Sequence, residues 1–335
     1  MKFYKILFFN SMIMGTLMTI SSMSWFSMWM GLEINLLSII PLMSSSKNLY
    51  PSEASIKYFI TQTLASSIIL LMIIMNLHLE EFIPQNSILL MNIMMNSGFL
   101  TKLGAAPFHY WFPEVMEGLN WNLCLIMLTW QKIAPMIILM YNLNMTKFLS
   151  MIIIISSIIS GTLGLNQVSL RKILTFSSIN HIGWMIASMM YSISLWLVYF
   201  CIYSIISMNI ILIFKNFNIF YMKQLFHSMN SNKLIKILFI FNFFSLGGLP
   251  PFLGFLPKWM TINFMIENNF YLLSSILIIS TLITLYYYMR ITFSSMSIYS
   301  IENIKITKIK LNFWSLMFNL VSLSSLVSCL MILKV

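Results

Sequence analysis

The 335-residue sequence has no aspartate, eight glutamates, two arginines and three cysteines. Charged residues make up 8% of it, against roughly 25% in a soluble globular domain, so a water-facing surface of ordinary size is excluded. Cys124, Cys201 and Cys329 lie in separate apolar runs with no partner at metal-ligand spacing, which argues against a disulfide framework or a zinc site. The four histidines fall in different segments, so no single helix supplies paired haem ligands, and no cysteine cluster offers itself to an iron–sulfur centre. Neither GxGxxG nor GxxxxGKS/T is present to cradle a nucleotide. No metal or cofactor is expected on this chain, and redox or ATP chemistry, if it drives the protein, belongs to a partner.

What is there is apolar: 59% hydrophobic residues, including 31 Met and 27 Phe. The runs are about 20 residues long and do not alternate, which favours membrane-spanning helices over a barrel. In hydrocarbon every backbone polar group has to be satisfied internally, and a helix does this by itself. The expectation is an all-α, polytopic membrane protein forming a single transmembrane domain over 1–335. About eleven spans are predicted, near 4–22, 25–43, 54–77, 87–107, 121–141, 148–164, 172–190, 193–214, 234–265, 270–290 and 312–333. Lys2 and Lys5 lead directly into a full spanning run, so no cleavable targeting segment is expected.

The net charge of +11 raises nucleic acid as a partner, and the placement of the charges answers it. With eleven spans, fourteen basic residues fall on the N-terminal side of the membrane, among them Lys47, Lys57, Arg171, Lys172, Lys215 and Arg290. Lys147 and Lys334 fall on the other side, and Lys102, Lys132 and Lys258 lie inside spans. That imbalance is the positive-inside pattern. It accounts for the basic residues as topology and leaves no nucleic-acid face.

Two segments are interrupted. The fourth ends in KLGAAP, 102–107, and the ninth contains GGLPP, 247–251. They stand five spans apart, and a five-helix unit repeated in tandem inverts its second copy. Paired Gly/Pro-broken segments in inverted halves point to a transport pathway. The predicted organisation is a first five-helix repeat over 1–145, an inverted one over 146–295, and a loop with a final helix over 296–335.

Glu33, Lys102, Lys132 and Lys258 all stand inside predicted spans. Left unpaired, the four would cost on the order of 10 to 14 kcal/mol on insertion scales. Snorkelling to a helix end is the competing reading, weightier for Lys258 than for Glu33 or Lys132. Helix defects accompany the lysines. Pro107 cannot donate to the carbonyl of Leu103, nor Pro135 to that of Gln131, so each frees a backbone acceptor near a lysine. Gly247, Gly248, Pro250 and Pro251 break the ninth segment about two turns before Lys258. Irregular backbone at membrane depth is tolerated where it lines a water-filled cavity; bends made purely for packing are the alternative. Desolvation disfavours a charged lysine and a nearby carboxylate favours it, so a row of lysines with one glutamate can exchange protons. His181 is a candidate to join such a relay, with a hydrogen-bonded core histidine as the alternative. His109, Glu114 and Glu117 fall in an amphipathic connection after Pro107 and are expected to be solvated.

The blocks WMGLEINLLSIIPLM, KYFITQTLASS, KLGAAPFHYWFPEV, TWQKIAP, GLNQVSLRKILTFSSINHIGW and FFSLGGLPPFLGFLPKW follow one another in an order that resembles the subunit 2 family of mitochondrial NADH:ubiquinone oxidoreductase, respiratory complex I. The likeness runs from about residue 4 to 295. It implies an antiporter-like, proton-translocating membrane-arm subunit of the inner mitochondrial membrane, with its N-terminus toward the matrix. Its partners would be the other membrane-arm subunits, with NADH, flavin, iron–sulfur clusters and ubiquinone held elsewhere in the assembly. By matched motif, the family's key glutamate falls on Glu33, its central lysines on Lys102 and Lys132, and its broken-helix lysine on Lys258. Lys172 and His181 lie within a family block as candidate additional relay groups. Two other readings stay open at this level: a stand-alone cation/proton antiporter, and a structural membrane subunit whose buried charges only pair with one another.

Overall fold

The computed structural model describes residues 3–44, 48–79, 85–229 and 233–296, with the single positions 317 and 319. Fourteen helices are assigned among them: α1 (Phe3–Ser21), α2 (Trp25–Met43), α3 (Leu49–Leu79), α4 (Gln85–Leu103), α5 (Trp111–Gly118), α6 (Trp121–Leu128), α7 (Trp130–Met140), α8 (Thr146–Leu165), α9 (Leu170–Met189), α10 (Ile193–Phe217), α11 (Met222–Met229), α12 (Lys233–Gly247), α13 (Phe255–Glu267) and α14 (Tyr271–Met296). The fold is all-α, and the described residues contain no strand beyond a lone antiparallel bridge between Ser169 and Tyr221.

Ten of the eleven expected spans fall on these helices, and 312–333 lies outside the described residues apart from two positions. Seven helical stretches are long and apolar enough to cross a membrane. The expected fourth, seventh and ninth spans are not among those seven: the ninth is divided into α12 and α13, and α4 and α9 carry many polar residues. In α9 almost every side chain from Leu170 to Met189 is buried, including Ser177, Ser178, Asn180 and His181. A helix enclosed by protein can carry polar groups that a lipid-facing helix cannot. The fifth span is two helices, α6 and α7, parted at Thr129 (φ −117, ψ −73). Pro135 was expected to mark that defect, yet it sits inside α7. A proline ring presses on the turn that precedes it, and the dislocation surfaces upstream.

The chain divides into two compact units, Met1–Ile152 and Ile153–Val335. In the first, α1 and α2 cross at glycines: a Cβ on Gly15 would meet the Gly31 carbonyl at 3.0 Å, and one on Gly31 would meet Gly15 O at 2.9 Å. Small residues there let two backbones approach, the usual means of helix association where no water drives it. Helix α2 packs on α3, and α4 packs on α3 and α7, with Asn96 of α4 and Asn142 exchanging buried hydrogen bonds (3.1 and 3.0 Å). In the second unit α9 packs against α10, α13 and α14, and α12 against α10 and α14. The guanidinium of Arg290 donates to the carbonyls of Leu165 (2.7 Å) and Gln167 (2.9 Å), capping the end of α8.

Candidate functional site

In the first unit the break after α4 comes at Gly104, inside the expected bend 102–107 and three residues before Pro107. Gly104 has φ +73. Its N–H donates to Thr101 O (3.1 Å), and Ala105 N–H reaches Leu100 O (3.1 Å), the paired bonds of a Schellman cap, which needs a left-handed residue at this position. The chain then turns through the cis Ala106–Pro107 peptide into α5, from which Trp111 Nε1 donates to Thr101 O at 3.0 Å.

Lys102 occupies the last turn of α4, where the exposed carbonyls favour a cation. Its Nζ lies 3.8 Å from Glu33 Oε1 of α2, with the two side chains 4% and 21% exposed. Asn35, Tyr58, Gln62, Gln131 and Lys102 line one cavity of about 10 Å³, close to what a single water requires. Gln131 Nε2 donates to Asn35 Oδ1 (2.9 Å), and Tyr58 Oη stands 3.5 Å from Gln131 Oε1. Lys132, next in sequence to Gln131, is buried on α7 with Nζ 6.0 Å from the centre of the Phe112 ring. The structure thus gathers Glu33, Lys102 and, through Gln131, the neighbourhood of Lys132.

In the second unit α12 ends in the same way. Gly248 (φ +78) donates to Ser245 O, and Leu249 N–H reaches Phe244 O. Pro250 and Pro251 have no N–H to offer the carbonyls of Leu246 and Gly247, four residues back. Those two carbonyls accept from Lys258 Nζ, at 3.3 and 2.9 Å. Lys258 belongs to the first turn of α13, where the helix dipole opposes a cation; the carbonyl end of α12 offsets this. Its Nζ also lies 5.8 Å from the centre of the Trp184 ring, so it points inward and does not snorkel. A Cβ on Gly248 would touch Lys258 Cδ at 2.8 Å. His181, one turn before Trp184 on α9, is within 2.9 Å of Tyr199 Oη through Nδ1. Lys172 is half-buried in the first turn of α9.

The connection after Pro107 divides differently from the expectation. Glu114 is exposed and pairs with Lys57 (2.9 Å), and Glu117 is half-buried. His109 is buried, 1% exposed, with Nδ1 3.3 Å from Pro107 O. No three His, Cys, Asp or Glu side chains converge among the described residues.

Sequence reasoning missed Asn35, Tyr58, Gln62 and Gln131, although signals were present. Tyr58 and Gln62 are four apart and share a face of α3, and Gln131 adjoins Lys132.

Residues 22–284 match the family model described as NADH:quinone oxidoreductase/Mrp antiporter, TM. The NADH-ubiquinone oxidoreductase chain 2 of Anopheles gambiae is 49% identical, over 97% of both chains. That of Bos taurus is 39% identical over 85% of this chain and 83% of its own. The chain belongs to the NADH-ubiquinone oxidoreductase chain 2 family. As a member it is a multi-pass membrane protein. Its fold is shared more widely. A chain of respiratory complex I from Thermus thermophilus superposes with a TM-score of 0.86 at 20% identity, over 96% of this chain and 78% of that one. A chain of the Mrp complex from Dietzia sp. DQ12-45-1b gives 0.81 at 13% identity, over 97% and 75%.

Proposed function

We propose that this chain is the antiporter-like, proton-translocating membrane-arm subunit of respiratory complex I, working beside other membrane-arm subunits in the inner mitochondrial membrane with its N-terminus toward the matrix. Electron transfer from NADH through flavin and iron–sulfur clusters to ubiquinone takes place in those partners, and this chain holds no redox centre. The observation that carries the reading is the Lys102–Glu33 pair at 3.8 Å, its lysine buried and its glutamate half-buried, set at the end of a broken helix and beside a cavity lined by Asn35, Tyr58, Gln62 and Gln131. Glu33 is the carboxylate that faces Lys102, so whatever displaces or neutralises it acts directly on the charge balance of the pair. A field change arriving from a neighbouring subunit acts on this pair first. Lys132 and Lys258 are then the groups that receive and pass the proton, with Gly247, Gly248, Pro250 and Pro251 supplying the open carbonyl end that holds Lys258. The five-helix repeats are inverted halves of this pathway.

Lys132→Met tests the proposal, since it keeps side-chain length and removes the charge. Assembled complex carrying it, reconstituted in vesicles, is expected to oxidise NADH with fewer protons translocated per electron. Undiminished translocation would refute the proposal.

A further inference from the structure

Two uncharged amides in the first unit bridge the helices that carry Glu33 and Lys132. Asn35 of α2 is 3% exposed, and its Oδ1 accepts from Gln131 Nε2 of α7 at 2.9 Å. Tyr58 of α3 stands 3.5 Å from Gln131 Oε1, so a single amide side chain touches two other helices. A pair of apolar side chains would fill the same space without burying polar atoms. What the amide bond adds is direction. Apolar contacts between helices survive a slide, whereas a hydrogen bond is lost with distance and angle, and a buried asparagine can for that reason fix the register of packed helices.

A second contact between the same helices shows which register is held. Trp25 at the start of α2 meets Tyr141, the C-terminal cap of α7, edge to face with ring centres 6.5 Å apart. Trp25 and Asn35 are ten residues apart on α2, and Gln131 and Tyr141 are ten apart on α7 and its cap. Helices α2 and α7 therefore run antiparallel, matched at two points about 15 Å apart along their axes. In that register position 33 lies opposite position 133, so the backbones of Glu33 and Lys132 stand within about 1.5 Å of one level. A slip of one turn would part them by about 5.4 Å.

Helix α7 also needs an outside reference for its rotation. It is parted from α6 at Thr129, whose N–H and Oγ1 both take the Leu125 carbonyl, at 3.0 and 2.7 Å. Lys132 N–H bonds to Thr129 O, only three residues back. A ladder disturbed in this way does not pass the rotation of α6 on to α7. Gln131 stands in the first turn of α7, next to Lys132.

We infer that Asn35 and Gln131 are positioning residues, whose bond sets the register and rotation of α7 against α2 and so keeps Lys132 level with Glu33. The inference rests on the proton-translocating reading above, and neither amide takes up or releases a proton.

The test uses the assembled complex in vesicles and exchanges reach between the two partners. Gln131→Asn shortens one arm of the bond by a methylene, and Asn35→Gln added to it restores the summed length. Gln131→Asn is expected to lower the protons translocated per electron with NADH oxidation preserved under uncoupled conditions, and the exchanged pair to recover most of the loss. Trp29→Phe removes a different tie of α2, the bond from Trp29 Nε1 to Ser66 O (3.1 Å), and is expected to lower thermal stability with the ratio unchanged. A wild-type ratio in Gln131→Asn, or an exchanged pair no better than Gln131→Asn alone, overturns the positioning role; if Lys132→Met still lowers the ratio, the proposed function stands. An equal fall in Trp29→Phe overturns the positioning role too, since general loosening of α2 would then account for the loss. A wild-type ratio in Lys132→Met overturns the function itself. Should Gln131→Asn fail to assemble, recovery of both assembly and ratio in the exchanged pair supports the register, and failure of the exchanged pair overturns it.

Discussion

The two units meet the same problem, a lysine kept away from water, with the same first step and different second ones. Each breaks a helix with a left-handed glycine, Gly104 or Gly248, and leaves a carbonyl end that favours a cation. Lys102 sits on the broken helix itself and faces a carboxylate at 3.8 Å. Lys258 reaches back from the following helix to the Leu246 and Gly247 carbonyls. A carboxylate can be neutralised or displaced, so the environment of Lys102 is switchable; peptide carbonyls cannot, so that of Lys258 is fixed. The capping roles differ accordingly: in the first unit Trp111 takes the Thr101 carbonyl and leaves the lysine to the glutamate, whereas in the second the lysine is itself the cap.

The largest effect should come from cutting the switchable pair. Glu33→Gln leaves Lys102 without its countercharge, a loss of about 3 to 5 kcal/mol for a buried pair, less here because Glu33 is 21% exposed. Protons per electron in reconstituted vesicles should fall, and adding Lys102→Met should cost little more; fully additive losses would show that the two do not act together. Next come the glycines. Alanine at either position strains the left-handed backbone by about 1 to 2 kcal/mol. At Gly248 the new methyl also meets Lys258 Cδ at 2.8 Å, while at Gly104 the nearest atoms are Phe112 and Trp111 carbons at 3.3 Å. Both variants should lower the melting temperature of the complex, but only Gly248→Ala should lower the proton ratio as well; equal effects on the ratio would erase the distinction between the units. The smallest effect is expected from Trp111→Phe, which removes one hydrogen bond, about 1 kcal/mol. Thermal stability should register it with the ratio unchanged, and a loss of pumping would give the first unit's cap a role it has not been assigned.

Helix α2, expected at 25–43 and found at Trp25–Met43, shows what a sequence carries well. Unbroken hydrophobicity reports the length of chain that can sit in lipid, and that property is local. Of the helices that departed from this rule, α9 is the one whose polar side chains are enclosed by protein. The buried charges were equally legible, because an ionisable residue within an apolar run stands out whatever surrounds it. The break positions were legible only approximately. Pro107 and Pro135 were the visible residues, yet the chain bends at Gly104 and Thr129, where the backbone actually yields.

By itself the sequence determined that this chain is helical, that it is membrane-spanning, and which few charged groups stand within its apolar runs. All of these follow from composition over a window of one helix, since the transfer of a side chain into lipid depends on that residue and its near neighbours. Only the tertiary structure decided that Glu33 meets Lys102, that Gln131 meets Asn35 across 96 positions, and that Lys258 closes the end of α12. Those pairings depend on how helices far apart in sequence pack side by side, and hydropathy along the chain carries no information about which faces will touch.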